Sequence, residues 1–245
     1  MSEAADQYPH DVEAERQVLG AVLVRPDLLI QVNSLLSKED YFFEAHSFIY
    51  DSVLDLYNRG NVDFDAVQVA VKQIEADIGP IEVLINNAGI TRDGVMSKMS
   101  FERWNEVIQT NLSSCFNCSK AVIDGMRERK FGRIVNIGSM NGQAGQYGQV
   151  NYAAAKSGIK GFTKALALEG ARYGITVNCV APGYVDTEMV KAVPEEILAK
   201  IIKGIPVGRL GHSDDIARAV LFLVADNNGF MTGSTISING GQHMY

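Results

Sequence analysis

The chain has 245 residues, 47% of them hydrophobic, which suits one ordinary α/β domain or two small ones and excludes global disorder. No apolar run has the length of a membrane span, and the acidic, polar start does not read as a signal peptide, so a cytoplasmic protein is expected. The formal net charge of −7 belongs wholly to residues 1–60, where four Lys/Arg stand against eleven Asp/Glu; no basic patch appears anywhere, which argues against direct nucleic-acid binding.

The front of the chain reads as helices. Asp11 is a helix cap, with Glu13 and Glu15 near the positive end of the helix dipole. Val12, Leu19, Val22 and Leu23 form an apolar stripe that Pro26 interrupts. Leu28, Val32, Leu35 and Leu36 repeat at helical spacing, and Ile49, Val53 and Leu56 mark a third helix stopped at Gly60. In a fourth, Phe64, Val67, Val71, Ile74 and Ile78 share a face before Gly79-Pro80.

After Pro80 the pattern changes. Ile81–Ile85 reads as a short apolar strand ending in Asn86-Asn87-Ala88-Gly89. A long helix follows over Phe101–Arg129, then a strand over Arg133–Ile137, a glycine-rich loop, and a helix from Asn151 to Tyr173 that Gly174 ends. A strand over Thr176–Val180 leads to a loop with Pro182 and Gly183, two helices around Ile197 and over Ile216–Val224, and a last strand over Ser234–Ile238. Val/Ile-rich strands alternating with helices predict a parallel sheet covered by helices. Cys115 and Cys118 have C-x-x-C spacing, but they sit in an apolar helical run with no second pair; no metal site is expected.

The chemistry centres on Ser139, Tyr152 and Lys156. Tyr152-Ala-Ala-Ala-Lys156 places a phenol and an ammonium on one helix face. An ammonium near a phenol favours phenolate, so a lowered Tyr152 pKa and a general acid/base near neutral pH are expected. Ser139 follows a strand end, where α/β sheets present their ligands, and its hydroxyl is placed to hold a carbonyl oxygen. A surface tyrosine and a solvated lysine are the plain alternative for Y-x-x-x-K taken alone.

Asn86-Asn87-Ala88-Gly89, Asn111, Ser139, Tyr152-x-x-x-Lys156 and Pro182-Gly183 together resemble the classical short-chain dehydrogenases/reductases over residues 62–245. The resemblance implies NADPH as cofactor. It implies Tyr152 as proton donor to a substrate carbonyl, Lys156 as the group that lowers its pKa and binds the nicotinamide ribose, Ser139 as carbonyl orienter, and Asn111 as anchor of a relay water. An amide capping backbone inside its own helix is the plain reading of Asn111. Asn87, Ala88 and Gly89 would line the nucleotide, and Pro182, Gly183, Val185 and Thr187 would flank the nicotinamide. The run Ser139–Tyr152 and the ending Asn239–Tyr245 look like acetoacetyl-CoA reductases, with 3-oxoacyl-carrier-protein reductases as close relatives; Gln146, Tyr147, Gln149 and Tyr184 would then contact an acyl thioester. The family's interface helices, over Phe101–Arg129 and Asn151–Tyr173, imply a homo-oligomer.

That family normally opens with strand, T-G-x-x-x-G-x-G and helix, whose backbone approaches the pyrophosphate. Residues 1–80 hold only Gly20, Gly60 and Gly79, none in such a loop. Residues 9–60 instead resemble the N-terminal domain of the bacterial replicative DNA helicase. That resemblance is carried by Pro9–Glu15, Val18–Leu23, Leu35-Leu36, Asp40-Tyr41-Phe42, His46 and Leu54–Gly60. It implies a helical module for ring assembly or primase contact. The expected organisation is an acidic helical segment over residues 1–60, followed over residues 61–245 by a partial doubly wound, Rossmann-like α/β parallel sheet lacking its first three strands. The strand at residues 81–85 then becomes a sheet edge. Three functional readings stand: a 3-oxoacyl-thioester reductase with weakened or lost NADPH binding, a binding or scaffold protein, and a non-catalytic chimera.

Overall fold

The computed structural model describes residues 64–187, 190 and 193–244. The expected helices over residues 11–60 lie outside these. The chain forms two compact units, Met1–Pro80 and Ile81–Tyr245. In the first, helix α1 spans Phe64–Asp77, as the apolar spacing predicted.

The second unit is built on four parallel strands in the order β1-β2-β3-β4: β1 Val83–Asn86, β2 Gly132–Ile137, β3 Ile175–Pro182 and β4 Thr235–Ile238. Between β1 and β2 run α2, Phe101–Ile108, and α3, Ser114–Arg129. A four-residue α4, Asn141–Ala144, and the long α5, Val150–Gly170, lead to β3. Helices α6, Glu195–Lys203, and α7, Ser213–Val224, precede β4. The α/β architecture with a parallel sheet is therefore as read from the alternation of elements.

Helices cover the two faces differently. Cys115 of α3, Ile159 of α5 and Cys179 of β3 form one buried cluster. On the other face Leu223 of α7 packs with Val135 and Val180 of the sheet. Strands β2 and β3 are accordingly buried almost throughout, as central parallel strands must be. In β1, at one end of the sheet, Val83 is 42% exposed and Ile85 37%.

A row of buried polar side chains crosses the α3–α5 face of the sheet. Asn86 Nδ2 donates to Asn136 Oδ1 at 2.7 Å and to Ser119 Oγ at 3.3 Å, and Asn136 Nδ2 donates to Thr163 Oγ1 at 2.9 Å. These amides take their partners from one another, which makes their burial tolerable. Arg133, also buried, is satisfied by the carbonyls of Gly132, Gly174, Ala225 and Asp226 while its guanidinium lies 4.3 Å from the Phe131 ring centroid.

Four local readings need correction. The first strand begins at Val83 rather than Ile81, and the Ile81 carbonyl accepts from Arg129 Nη2 at 2.7 Å. The helix expected over Phe101–Arg129 is broken by a π-helical turn at Gln109–Ser113. Part of the loop after β2 is helical, as α4. Strand β3 continues through Pro182, whose carbonyl accepts from Met140 N–H at 2.8 Å; at the last position of a strand a proline ring removes little ladder pairing. Among the described residues, no helix is long and apolar enough to cross a membrane.

Candidate active site

Three elements converge at the carboxyl ends of β1 and β2. The segment after β2 carries Ser139, the first turns of α5 carry Tyr152 and Lys156, and the segment after β1 carries Gly89. Glycines make the convergence possible. A Cβ on Gly142 would lie 2.7 to 2.9 Å from backbone and Cβ atoms of Lys156, so α4 presses directly on α5 at the lysine. A Cβ on Gly158 would lie 2.9 Å from Leu112 Cδ2, which brings α5 equally close to the π-helical turn.

Lys156 is 4% exposed, and its Nζ donates to the Ile137 carbonyl at 2.7 Å. It lies 5.8 Å from the Tyr152 ring centroid. A Cβ on Gly89 would stand 3.3 Å from that ammonium, so this backbone comes as near to it as a side chain would allow. Burial lowers the lysine pKa, partly offset by the neighbouring Cys115 and Cys179. Cys115, Cys118 and Cys179 are free thiols.

Burial also raises the Tyr152 pKa. A hydrogen bond with the Ser139 side chain opposes the rise, while Asp93 and Tyr184 add to it. This differs from the lowered phenol pKa expected from the i, i+4 spacing. Removal from water is the largest cause, while the Lys156 ammonium is directed to the Ile137 carbonyl and is itself desolvated. Burial therefore favours the neutral phenol, which is hydrogen-bonded with the Ser139 side chain.

Asn111, fully buried at the centre of the π-helical turn, binds the loop after β1. Its Oδ1 accepts from Ile90 N–H at 2.8 Å and its Nδ2 donates to the Ile90 carbonyl at 2.9 Å. The plain reading of an amide capping backbone inside its own helix is thus corrected: the side chain does bond backbone, but that of the loop after β1. The Asn111 carbonyl accepts a long contact from Cys115 Sγ at 3.5 Å.

The remaining residues singled out from the sequence fall into two groups. Tyr184 is half-buried and close enough to influence Tyr152. Gly183 packs tightly under Asn239, and Val185 pairs with Gly211. Pro182 ends β3 beside the Ser139 segment. Gln149 Oε1 accepts from Asn141 Nδ2, and Gln149 Nε2 donates to Asp93 Oδ2, both at 2.9 Å, so its amide bridges two loops. By contrast Asn87, Ala88, Gln146 and Thr187 are exposed, and the Tyr147 ring is 87% exposed.

Several contributors escaped the sequence reading. Asn151 is fully buried; its Oδ1 accepts from Tyr152 N–H and its Nδ2 donates to the carbonyls of Arg92 and Arg103, orienting the start of α5. Its position beside Tyr152 at a helix start was a usable signal. Asp93 and Gly142 carried none, because only the folded chain sets them against Gln149 and Lys156.

The arrangement offers a buried phenol, a hydroxyl beside it, and a cation beside a glycine-walled approach. The Gly89 backbone and the Lys156 ammonium could together hold the ribose end of a dinucleotide. Nothing in the sequence before β1 has the glycine spacing of a pyrophosphate loop.

Residues 61–243 match the family model described as enoyl-(acyl carrier protein) reductase. Residues 7–93 match the DnaB-like helicase N-terminal domain, and the two matches overlap at residues 61–93. An acetoacetyl-CoA reductase of Shinella zoogloeoides is 56% identical over 199 residues, covering 81% of this chain and 83% of that protein. That of Cupriavidus necator is 53% identical over 188 residues, covering 76% of each. A 3-oxoacyl-[acyl-carrier-protein] reductase of Haemophilus influenzae is 47% identical over 182 residues, covering 74% of this chain and 75% of that protein.

Proposed function

The chain belongs to the short-chain dehydrogenase/reductase family, and from that premise we propose that its chemistry is NADPH-dependent reduction of acetoacetyl-CoA to the 3-hydroxyacyl thioester, weakened by poor retention of the nucleotide. The observation that carries this reading is the meeting of Ser139, Tyr152 and Lys156 at one strand end. The names of the relatives favour a coenzyme A thioester over a carrier-protein substrate.

In this reading the Ser139 hydroxyl donates to the 3-oxo oxygen and fixes its position. Tyr152, kept neutral by burial, gives its phenolic proton to the same oxygen as negative charge develops there. Lys156 then lies close to the phenolate that remains and steadies it. Lys156 and the Gly89 backbone would hold the nicotinamide ribose, with Asn87, Ala88, Pro182, Gly183, Val185 and Thr187 around the rest of that end. A bound nicotinamide supplies the hydride. Tyr184 is the best placed of the thioester-contact candidates, since it already lies near Tyr152. The exposed faces of α3 and α5, including Phe116 and Leu168, are offered for homo-oligomer formation.

The weakness lies at the phosphates. Each charge-assisted hydrogen bond missing from the pyrophosphate is worth about 1.5–3 kcal/mol, so losing two or three lowers affinity by orders of magnitude. NADPH oxidation with acetoacetyl-CoA, measured beside Tyr152→Phe, tests both parts. Slow turnover with a very high NADPH KM, abolished in Tyr152→Phe, is the expected result. Robust Tyr152-dependent turnover at micromolar NADPH overturns the weakened binding, and turnover unaffected by Tyr152→Phe overturns the site.

The match of residues 7–93 to a helicase N-terminal domain favours a second reading. There the chain is a non-catalytic fusion whose acidic front contacts a helicase- or primase-type partner.

A further inference from the structure

Among the described residues strand β1 ends the sheet, and its outer edge carries specific, countable groups. The Glu82 carbonyl accepts from Arg133 N–H at 2.9 Å, and Leu84 and Asn86 follow in register with β2. Backbone direction alternates along a strand, so Glu82, Leu84 and Asn86 face β2 while Val83 and Ile85 turn their N–H and C=O groups outward. The side chains of Val83 and Ile85 are 42% and 37% exposed. They lie on the face of Val135, the register partner of Ile85. Between Ile81 and Asn86 there is no lysine, no proline and no inward-pointing charge; the strand is four residues long and Glu82 is the one charge beside it.

The occupant must itself offer strand backbone. A helix has already paired its own N–H and C=O groups, and residues 11–60 read as helices from their spacing. The segment of this chain that matches β1 is β1. Placed antiparallel about a twofold axis through Leu84, Val83 of one copy faces Ile85 of the other, and the reverse. Each pair exchanges two hydrogen bonds, four in all, and the four apolar side chains meet on one face. Glu82 then faces the neutral Asn86 of the second copy, so no like charges oppose each other. Such a contact is isologous and closed.

We propose that β1 is a self-association edge, through which two copies of this chain join their sheets into one eight-stranded sheet. The proposal is independent of whether the chain turns over a substrate. It is distinct from association through α3 and α5, and the test separates the two.

Leu84 sits on the axis, opposite its own copy in a pair without backbone hydrogen bonds, where Cα atoms come within about 4.5 Å and a disulfide can form. The full-length chain with Leu84→Cys is oxidised gently beside the parent, whose three native cysteines set the baseline. Amide exchange at Val83 and Ile85 and sedimentation velocity are measured in the parent and in Ile85→Lys, with circular dichroism as the folding control. The expected result is a disulfide-linked dimer for Leu84→Cys, and slow Val83 and Ile85 amides that exchange roughly 100-fold faster in Ile85→Lys. Slow amides in a monomer would place another part of the same chain on the edge and overturn the proposal. Fast amides in the parent, or a dimer that survives Ile85→Lys without Leu84→Cys cross-linking, overturn it as well; because the parent is measured directly, misfolding of either variant does not shield it.

Discussion

Asn111→Ala should destabilise the Ile81–Tyr245 unit and loosen the loop after β1. The side chain is fully buried and its two hydrogen bonds to Ile90, at 2.8 and 2.9 Å, are both lost on truncation. Each bond contributes about 1 kcal/mol net, and each backbone group left without a partner in a dry site costs about 1–3 kcal/mol. Ile90 is only half-buried, so water recovers part of this, and about 2–4 kcal/mol remains. For a unit of this size that corresponds to a fall in Tm of roughly 5–12 °C. Urea unfolding reports the stability, and amide exchange at Ile90 reports the loop. An Asn111→Asp variant keeps the acceptor for Ile90 N–H but sets a carboxylate oxygen against the Ile90 carbonyl, so it should fall at least as far as alanine. Unchanged stability and unchanged Ile90 exchange in Asn111→Ala would refute the clamp and leave Asn111 a role in the chemistry alone.

Gly142→Ala should be severe for a one-carbon change, because its Cβ would sit 2.7 to 2.9 Å from Lys156 atoms. A loss of about 1–3 kcal/mol in urea unfolding is expected, along with a changed Lys156 environment by NMR. Arg133→Met removes a buried guanidinium that serves four carbonyls. It should cost about 2–4 kcal/mol, and equal stability to the parent would show those carbonyls to be solvated. The Cys115 thiol is pushed up to about 11 by burial. Between pH 9 and 11 the unfolded chain has then lost a proton that the folded chain keeps. Stability contributed by this group is present below pH 9 and declines as pH rises to 11, by about 2 kcal/mol. Denaturation across that range should show a steeper decline in the parent than in Cys115→Ala, and parallel slopes would contradict it.

Much of the second unit was legible before folding. Buried parallel strands are continuous apolar runs, and helices announce themselves by apolar spacing and by stops such as Gly174, so element types survive a reading of one dimension. The pairing of Tyr152 with Lys156 is legible for the same reason, since residues i and i+4 share a helix face whatever surrounds the helix. The absent glycine loop is also a fact of composition. Contacts across elements decided the rest. The π-helical turn and the bonds of Asn111 to Ile90 emerge only in the folded chain, and Gly142 matters only because α4 lands on Lys156. The sign of the Tyr152 pKa shift reversed because spacing reveals a neighbouring charge but not how much water burial removes. Charge proximity is written along the helix; desolvation belongs to the packed whole, and here it is the stronger effect.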